Sequence, residues 1–125
     1  MWQTVLLISV GAILGANLRY FVAQGVSRLI PSSFPFGTLV INITASFFLG
    51  FFIIWTTERV LADPRWRILI AIGFCATYST YSSYIYETYA LVVKGQFSFA
   101  MLNLLVTNVV CFVAVVLGAG LARKL

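Results

Sequence analysis

Apolar residues fill four long stretches of the chain, 1–18, 29–57, 68–86 and 95–122, and no charged residue falls inside any of them. Each stretch is close to or above the roughly 18 residues that a membrane-spanning helix requires. Pro31, Pro35, Asp63–Pro64 and Lys94–Gly95 supply turn formers and charges between them. The pattern predicts transmembrane helices over 3–29, 36–57, 66–93 and 97–121, in one four-helix, all-α transmembrane domain over 1–125. The connections are short, so successive helices run antiparallel. No soluble domain, linker or internal repeat is evident.

Composition removes a soluble helical domain from consideration. The chain of 125 residues is 62% hydrophobic and 9% charged, against about 25% charged in soluble domains. So small a chain cannot hide that much apolar surface from water, so lipid is its solvent. The net charge of +5 comes from 8 basic and 3 acidic residues. Most of the basic residues sit at helix ends, where they meet lipid headgroups, and nucleic-acid binding is not expected. Both termini and the 58–65 loop share one side, with Arg59, Arg65, Arg67, Arg123 and Lys124; Arg28 and Lys94 lie on the other. The excess predicts a cytoplasmic N-terminus. Cys75 and Cys111 both fall in predicted helices and read as small packing residues.

The chemistry that is missing narrows the function. The chain has no histidine, and its three acids are Glu58, Asp63 and Glu87. Paired carboxylates, a nucleophile with its base and a metal-ligand cluster are all absent, so no enzyme is expected. Proton-coupled export normally needs a titratable group at membrane depth, and Glu87, toward the end of helix 3, is the only candidate. A passive pathway fits this inventory better than an active one.

The polar residues inside the spans are unevenly placed. Thr38, Asn42 and Ser46 follow one another at i,i+4 spacing on helix 2, ahead of Gly50. Such a face glues helices together in lipid, and an Asn amide also offers N–H donors to an anion. Helix 3 reads TYSTYSSYIYETY over 77–89 and holds five of the six tyrosines. Tyr78, Tyr81 and Tyr84 form an i,i+3 row. The hydroxyl density is too high for a lipid-facing surface, and it favours a break near the middle of the helix. Helix 4 carries Asn103, Thr107, Asn108 and Cys111. Helix 1 contains a Gly11-x-x-x-Gly15 pattern suited to close packing, followed by Arg19, a cation expected to have a partner or a role at the pathway mouth.

In these residues the chain resembles the small fluoride channels of the Fluc, or CrcB, family. GAILGANLR over 11–19, FGTLVIN over 36–42 and GFCATYSTYSSY over 73–84 followed by Glu87 match the motifs of helices 1, 2 and 3 in order. The resemblance implies an antiparallel, dual-topology dimer with two pores that passes fluoride passively across the cytoplasmic membrane. It implies a pore lined by Asn42, Thr38, Tyr81, Tyr84 and Ser82, with Cys111 from helix 4, and it leaves Arg19 and Glu87 as structural or mouth residues. It also implies a structural sodium ion at the dimer centre, bound by the backbone carbonyls of Ala76 and Ser79. The chain departs from the family pattern in two places. Tyrosines replace both pore phenylalanines, and Ala76 and Thr77 stand where the helix break usually has glycines. A homodimer is expected; a heterodimer in which this chain is a non-conducting partner is the alternative. A small multidrug transporter fits less well, because helix 1 carries Arg19 and no acid.

Overall fold

The computed structural model describes residues 1–125 as an all-helical chain with four spans long and apolar enough to cross a membrane. Helix α1 covers Trp2–Leu29 and α2 covers Phe36–Ile54, running on into a wider π turn over Trp55–Arg59. The third span has two parts. Helix α3 starts at Pro64–Arg67, widens to π-helical winding over Ile68–Cys75 and ends with Ala76–Tyr78. Helix α4 is Tyr81–Val93 and α5 is Phe97–Lys124. At 1.5 Å rise per residue the 28 residues of α1 or α5 extend about 42 Å. That exceeds the roughly 30 Å hydrocarbon core, so these helices tilt or reach into the headgroups.

Local sequence explains the ends. Asp63 caps α3 by accepting the Arg65 N–H at 2.8 Å, with Pro64 in the first turn, where its missing N–H costs nothing. Gly95, at φ +74°, makes the turn into α5, a conformation that costs glycine nothing. At the opposite end Arg123 makes a double contact with Glu58, at 3.1 and 3.2 Å, joining the end of α5 to the end of α2. Trp2, Trp55 and Trp66 all lie exposed at this same end, as interfacial tryptophans do.

Lipid supplies no hydrophobic force between helices, so close backbone approach has to hold them together. Glycine makes that approach possible here. Gly11 and Gly15 are the only buried residues of α1. A Cβ on Gly11 would run into the Leu69 carbonyl and the Gly73 backbone, and one on Gly15 into the Phe74 carbonyl and the Thr77 hydroxyl. Helix α2 meets α5 in the same way, Gly50 against the Val115 backbone and Gly118 against Phe47 and Phe51.

The third span corrects one expectation. Tyr78, Tyr81 and Tyr84 do not form a continuous strip, because Ser79 (φ −72°, ψ 160°) and Thr80 (φ −152°, ψ 114°) are extended and the helical phase restarts at Tyr81. An i,i+3 row presupposes unbroken winding. Tyr78 is buried, stacked on Phe74 with centroids 5.8 Å apart, and its hydroxyl lies 2.9 Å from that of Thr44. Tyr81 and Tyr84 belong to the next helix. The Thr80 hydroxyl caps that helix by accepting the Ser83 N–H at 3.3 Å.

Candidate functional site

The interruption at Ser79 and Thr80 leaves backbone groups that a continuous helix would pair. Inside a membrane such groups must find partners in the protein. Asn42 of α2 supplies two for Thr80. Its Oδ1 accepts the Thr80 N–H at 2.9 Å and its Nδ2 donates to the Thr80 carbonyl at 3.1 Å. The amide thus stands in for a peptide group and braces the break. One of its two N–H donors is spent on Thr80, which leaves the second for a ligand.

Beside this brace a cavity of about 240 Å³ opens among α2, the break, α4 and α5. Its lining is polar: Asn42, Ser46, Thr80, Tyr81, Tyr84 and Asn108, with Ser79, Thr107 and Cys111 completing it. The protons of Thr80, Tyr84 and Asn108 are engaged within the chain, whereas the second Asn42 N–H and the Tyr81 hydroxyl are not. No carboxylate reaches the cavity. The two tyrosine rings lie 5.6 Å apart at 57°. Tyr81 is 74% exposed, whereas Tyr84 is 3% exposed, and Asn108 donates to the Tyr84 hydroxyl at 2.9 Å. Sequence reasoning placed Ser46 and Asn108 on polar stripes but gave neither a role. Their convergence depends on how α2 and α5 cross, which no local pattern records.

A second polar cavity, of about 440 Å³, lies toward the 30–37 and 94 end. Ser27, Ser32, Ser33, Thr38, Glu87 and Lys94 are among its lining residues. Here the Thr38 hydroxyl donates to Glu87 Oε1 at 2.8 Å, while Glu87 Oε2 is buried without a partner. Thr38 and Glu87 therefore sit together, one helical turn from Asn42 and outside the smaller cavity. Ser82 is in neither: it is exposed and lines a shallow surface pocket with Ser83, Tyr86 and Glu87. It shares a helix with Tyr81 and Tyr84, but residues at neighbouring positions of a helix point to different faces, and Ser82 faces away from the cavity that they line. Arg19 reaches the break from α1, its Nη1 donating to the Ser79 carbonyl at 3.4 Å.

The carbonyls expected to hold sodium differ in readiness. In a continuous helix the Thr80 N–H would bond to the Ala76 carbonyl. It bonds to Asn42 instead, so the carbonyl of exposed Ala76 lacks that partner and suits a hard cation. The Ser79 carbonyl already receives the long bond from the Arg19 guanidinium, a positive group that a cation there would have to tolerate. Two oxygens from one chain fall short of a cation shell, so the residues fit a sodium ion only when a second copy contributes its own.

Comparison with known proteins gives consistent matches. The family described as CrcB-like protein, Camphor Resistance (CrcB), matches residues 6–119. A protein of Koribacter versatilis (strain Ellin345) named fluoride-specific ion channel FluC is 50% identical over 113 residues, covering 90% of this chain and 89% of the relative. One of the same name from Sulfurihydrogenibium sp. (strain YO3AOP1) is 39% identical over 123 residues, 98% of this chain and 99% of its own length. Another, from Coxiella burnetii (strain CbuK_Q154), is 38% identical over 124 residues, 98% and 100% of the two chains.

Proposed function

Because the chain belongs to the CrcB family, we propose that it is a subunit of a passive, fluoride-selective channel of the cytoplasmic membrane. The observation that carries this reading is the smaller cavity, a polar space of about 240 Å³ with no carboxylate, bordered by the spare Asn42 N–H and the unpaired Tyr81 hydroxyl. Fluoride is small and strongly hydrated, and it sheds water only where several donors replace it together. Asn42 offers its spare N–H, Tyr81 an unpaired hydroxyl and ring edge, and Ser46 a further hydroxyl, while the Thr107 proton is spent on the Asn103 amide oxygen. The larger cavity, with Thr38, Glu87 and Lys94, serves as the water-filled mouth. Lys94 raises the local anion concentration there. Thr38 offers its proton to the ion by releasing Glu87.

A single copy leaves polar groups open where lipid would lie: Asn17, Thr44, Ser82 and Asn108 are exposed on the spans. Polar surface set against hydrocarbon is costly even where its donors are paired within the chain, and a second copy covers it. The proposed assembly is a dimer of antiparallel subunits with a pore on each side. At its centre the Ala76 and Ser79 carbonyls of both copies would hold a structural sodium ion. When bound, that ion supplies positive charge where the two helix breaks meet. The excess of cations at one end of the chain supports a second arrangement, pairing with a similar chain of opposite bias.

Purified protein reconstituted in liposomes is expected to release fluoride down its gradient without ATP or a proton gradient, as followed with a fluoride electrode. Efflux no greater than that of protein-free liposomes, from protein shown to be folded, would overturn conduction by the homodimer and leave the unlike pair.

A further inference from the structure

Tyr81 and Tyr84 have the same chemistry, line the same cavity and lie three residues apart, yet their hydroxyls meet different surroundings. The Tyr81 hydroxyl has no hydrogen-bond partner within the chain, and the residue is 74% exposed. The Tyr84 hydroxyl is drawn to α5. Asn108 Nδ2 donates to it at 2.9 Å, and its own proton points toward the Leu104 carbonyl at 3.5 Å. Asn108 is itself held from behind, because its second N–H donates to the same Leu104 carbonyl at 2.7 Å. The amide, the phenol and the carbonyl form a closed triangle. A phenol has one acceptor direction well suited to a donor and one proton to give, and both are engaged within α5. Nothing remains on that oxygen to reach an ion in the cavity.

We propose that Asn108 is a positioning residue for the pathway. It captures the Tyr84 hydroxyl against the α5 wall of the cavity, keeps its proton from the ion and fixes the ring, whose positive edge is then what Tyr84 presents to the space shared with Asn42. This rests on the fluoride-channel reading and divides the work between the two tyrosines. Tyr84 contributes an immobile ring edge, which attracts an anion through the aromatic quadrupole. Tyr81 contributes a hydroxyl free to donate. Asn108 matters through the hydroxyl alone, since a phenylalanine at position 84 would have nothing for the amide to hold.

A pair of substitutions and their combination tests this, with efflux normalised to folded dimer. Asn108→Ala is expected to lower fluoride efflux about three- to tenfold, the rate equivalent of one interhelical hydrogen bond of ordinary strength in a membrane. In the Tyr84→Phe background the same Asn108→Ala change should have no further effect. An equal loss in both backgrounds would overturn the proposal, because Asn108 would then act on the ion or on packing without Tyr84. So would no loss in either background.

Fluorine resonances of protein labelled with 3-fluorotyrosine give a readout that needs no flux. The Tyr84 signal, assigned by its disappearance in Tyr84→Phe, should shift and change width in Asn108→Ala while the Tyr81 signal stays in place. If the unsubstituted protein passes no fluoride, the channel reading fails by itself. The positioning role is then decided by the Tyr84 resonance, a shift sustaining it and an unmoved signal overturning it.

Discussion

Replacing Asn42 with alanine is expected to lower fluoride efflux per folded dimer by about ten- to a hundredfold, the rate equivalent of one hydrogen bond to a charged ion missing at the barrier. The structure adds a second consequence. The same amide holds both the N–H and the carbonyl of buried Thr80, so alanine also unpairs a buried peptide group. Side-chain hydrogen bonds between membrane helices contribute about 0.6 to 1.7 kcal/mol each, and losing two should lower stability by roughly 1–3 kcal/mol. Asn42→Asp separates the two effects. Aspartate keeps an acceptor for the Thr80 N–H but removes the donor and sets a negative charge beside the Thr80 carbonyl and in the path of an anion. Efflux should fall in the order Asn, Ala, Asp, read by electrode against thermal unfolding in detergent. If both variants conduct like the parent once normalised for folded protein, Asn42 is a brace only.

Gly118→Val should abolish recovery of folded protein. A side chain at Gly118 would enter the Phe47 carbonyl and the Phe51 N–H, both backbone atoms of α2 that no rotamer change can move aside. Overpacking ordinarily costs about 1–3 kcal/mol when side chains can adjust. Here the helices themselves must separate, and Gly50 against Val115 would separate with them. Size-exclusion chromatography should show loss of the monodisperse peak. Gly120, two residues along α5, has nothing within 4 Å in the chain, and Gly120→Ala serves as the comparison. A well-folded Gly118→Val protein would contradict the α2–α5 crossing.

The spans were legible because lipid leaves few choices: an uncharged run of sufficient length has to be a helix, and short connections have to reverse it. Three ordered motifs identified the family, and the matches to CrcB-like proteins bear out that identification. The packing role of Gly11 and Gly15 was readable from spacing alone, since only close backbone approach gives that spacing a purpose. The partners of the polar residues were not readable. Asn42 reads from sequence either as an interhelical bond or as a donor to an anion, with no sign of its partner, and a break in a different helix claims most of its amide. The tyrosine row failed for a related reason. Periodicity is counted along an intact helix, and two extended residues at 79 and 80 reset the count between Tyr78 and Tyr81. Asn108 and Tyr84 lie 24 positions apart and meet only because α4 and α5 pack side by side.

All three tryptophans, Trp2, Trp55 and Trp66, stand at the same end of the bundle. The protein therefore carries an optical label for its own orientation. In vesicles, a quencher that cannot cross the bilayer reaches only the indoles of one leaflet. If subunits insert both ways in equal numbers, external quencher should remove about half of the emission that it removes once detergent opens the vesicles. A population facing a single way would lose all of that emission or none of it. The unmodified chain thus reports in one titration whether its copies face both ways in the membrane.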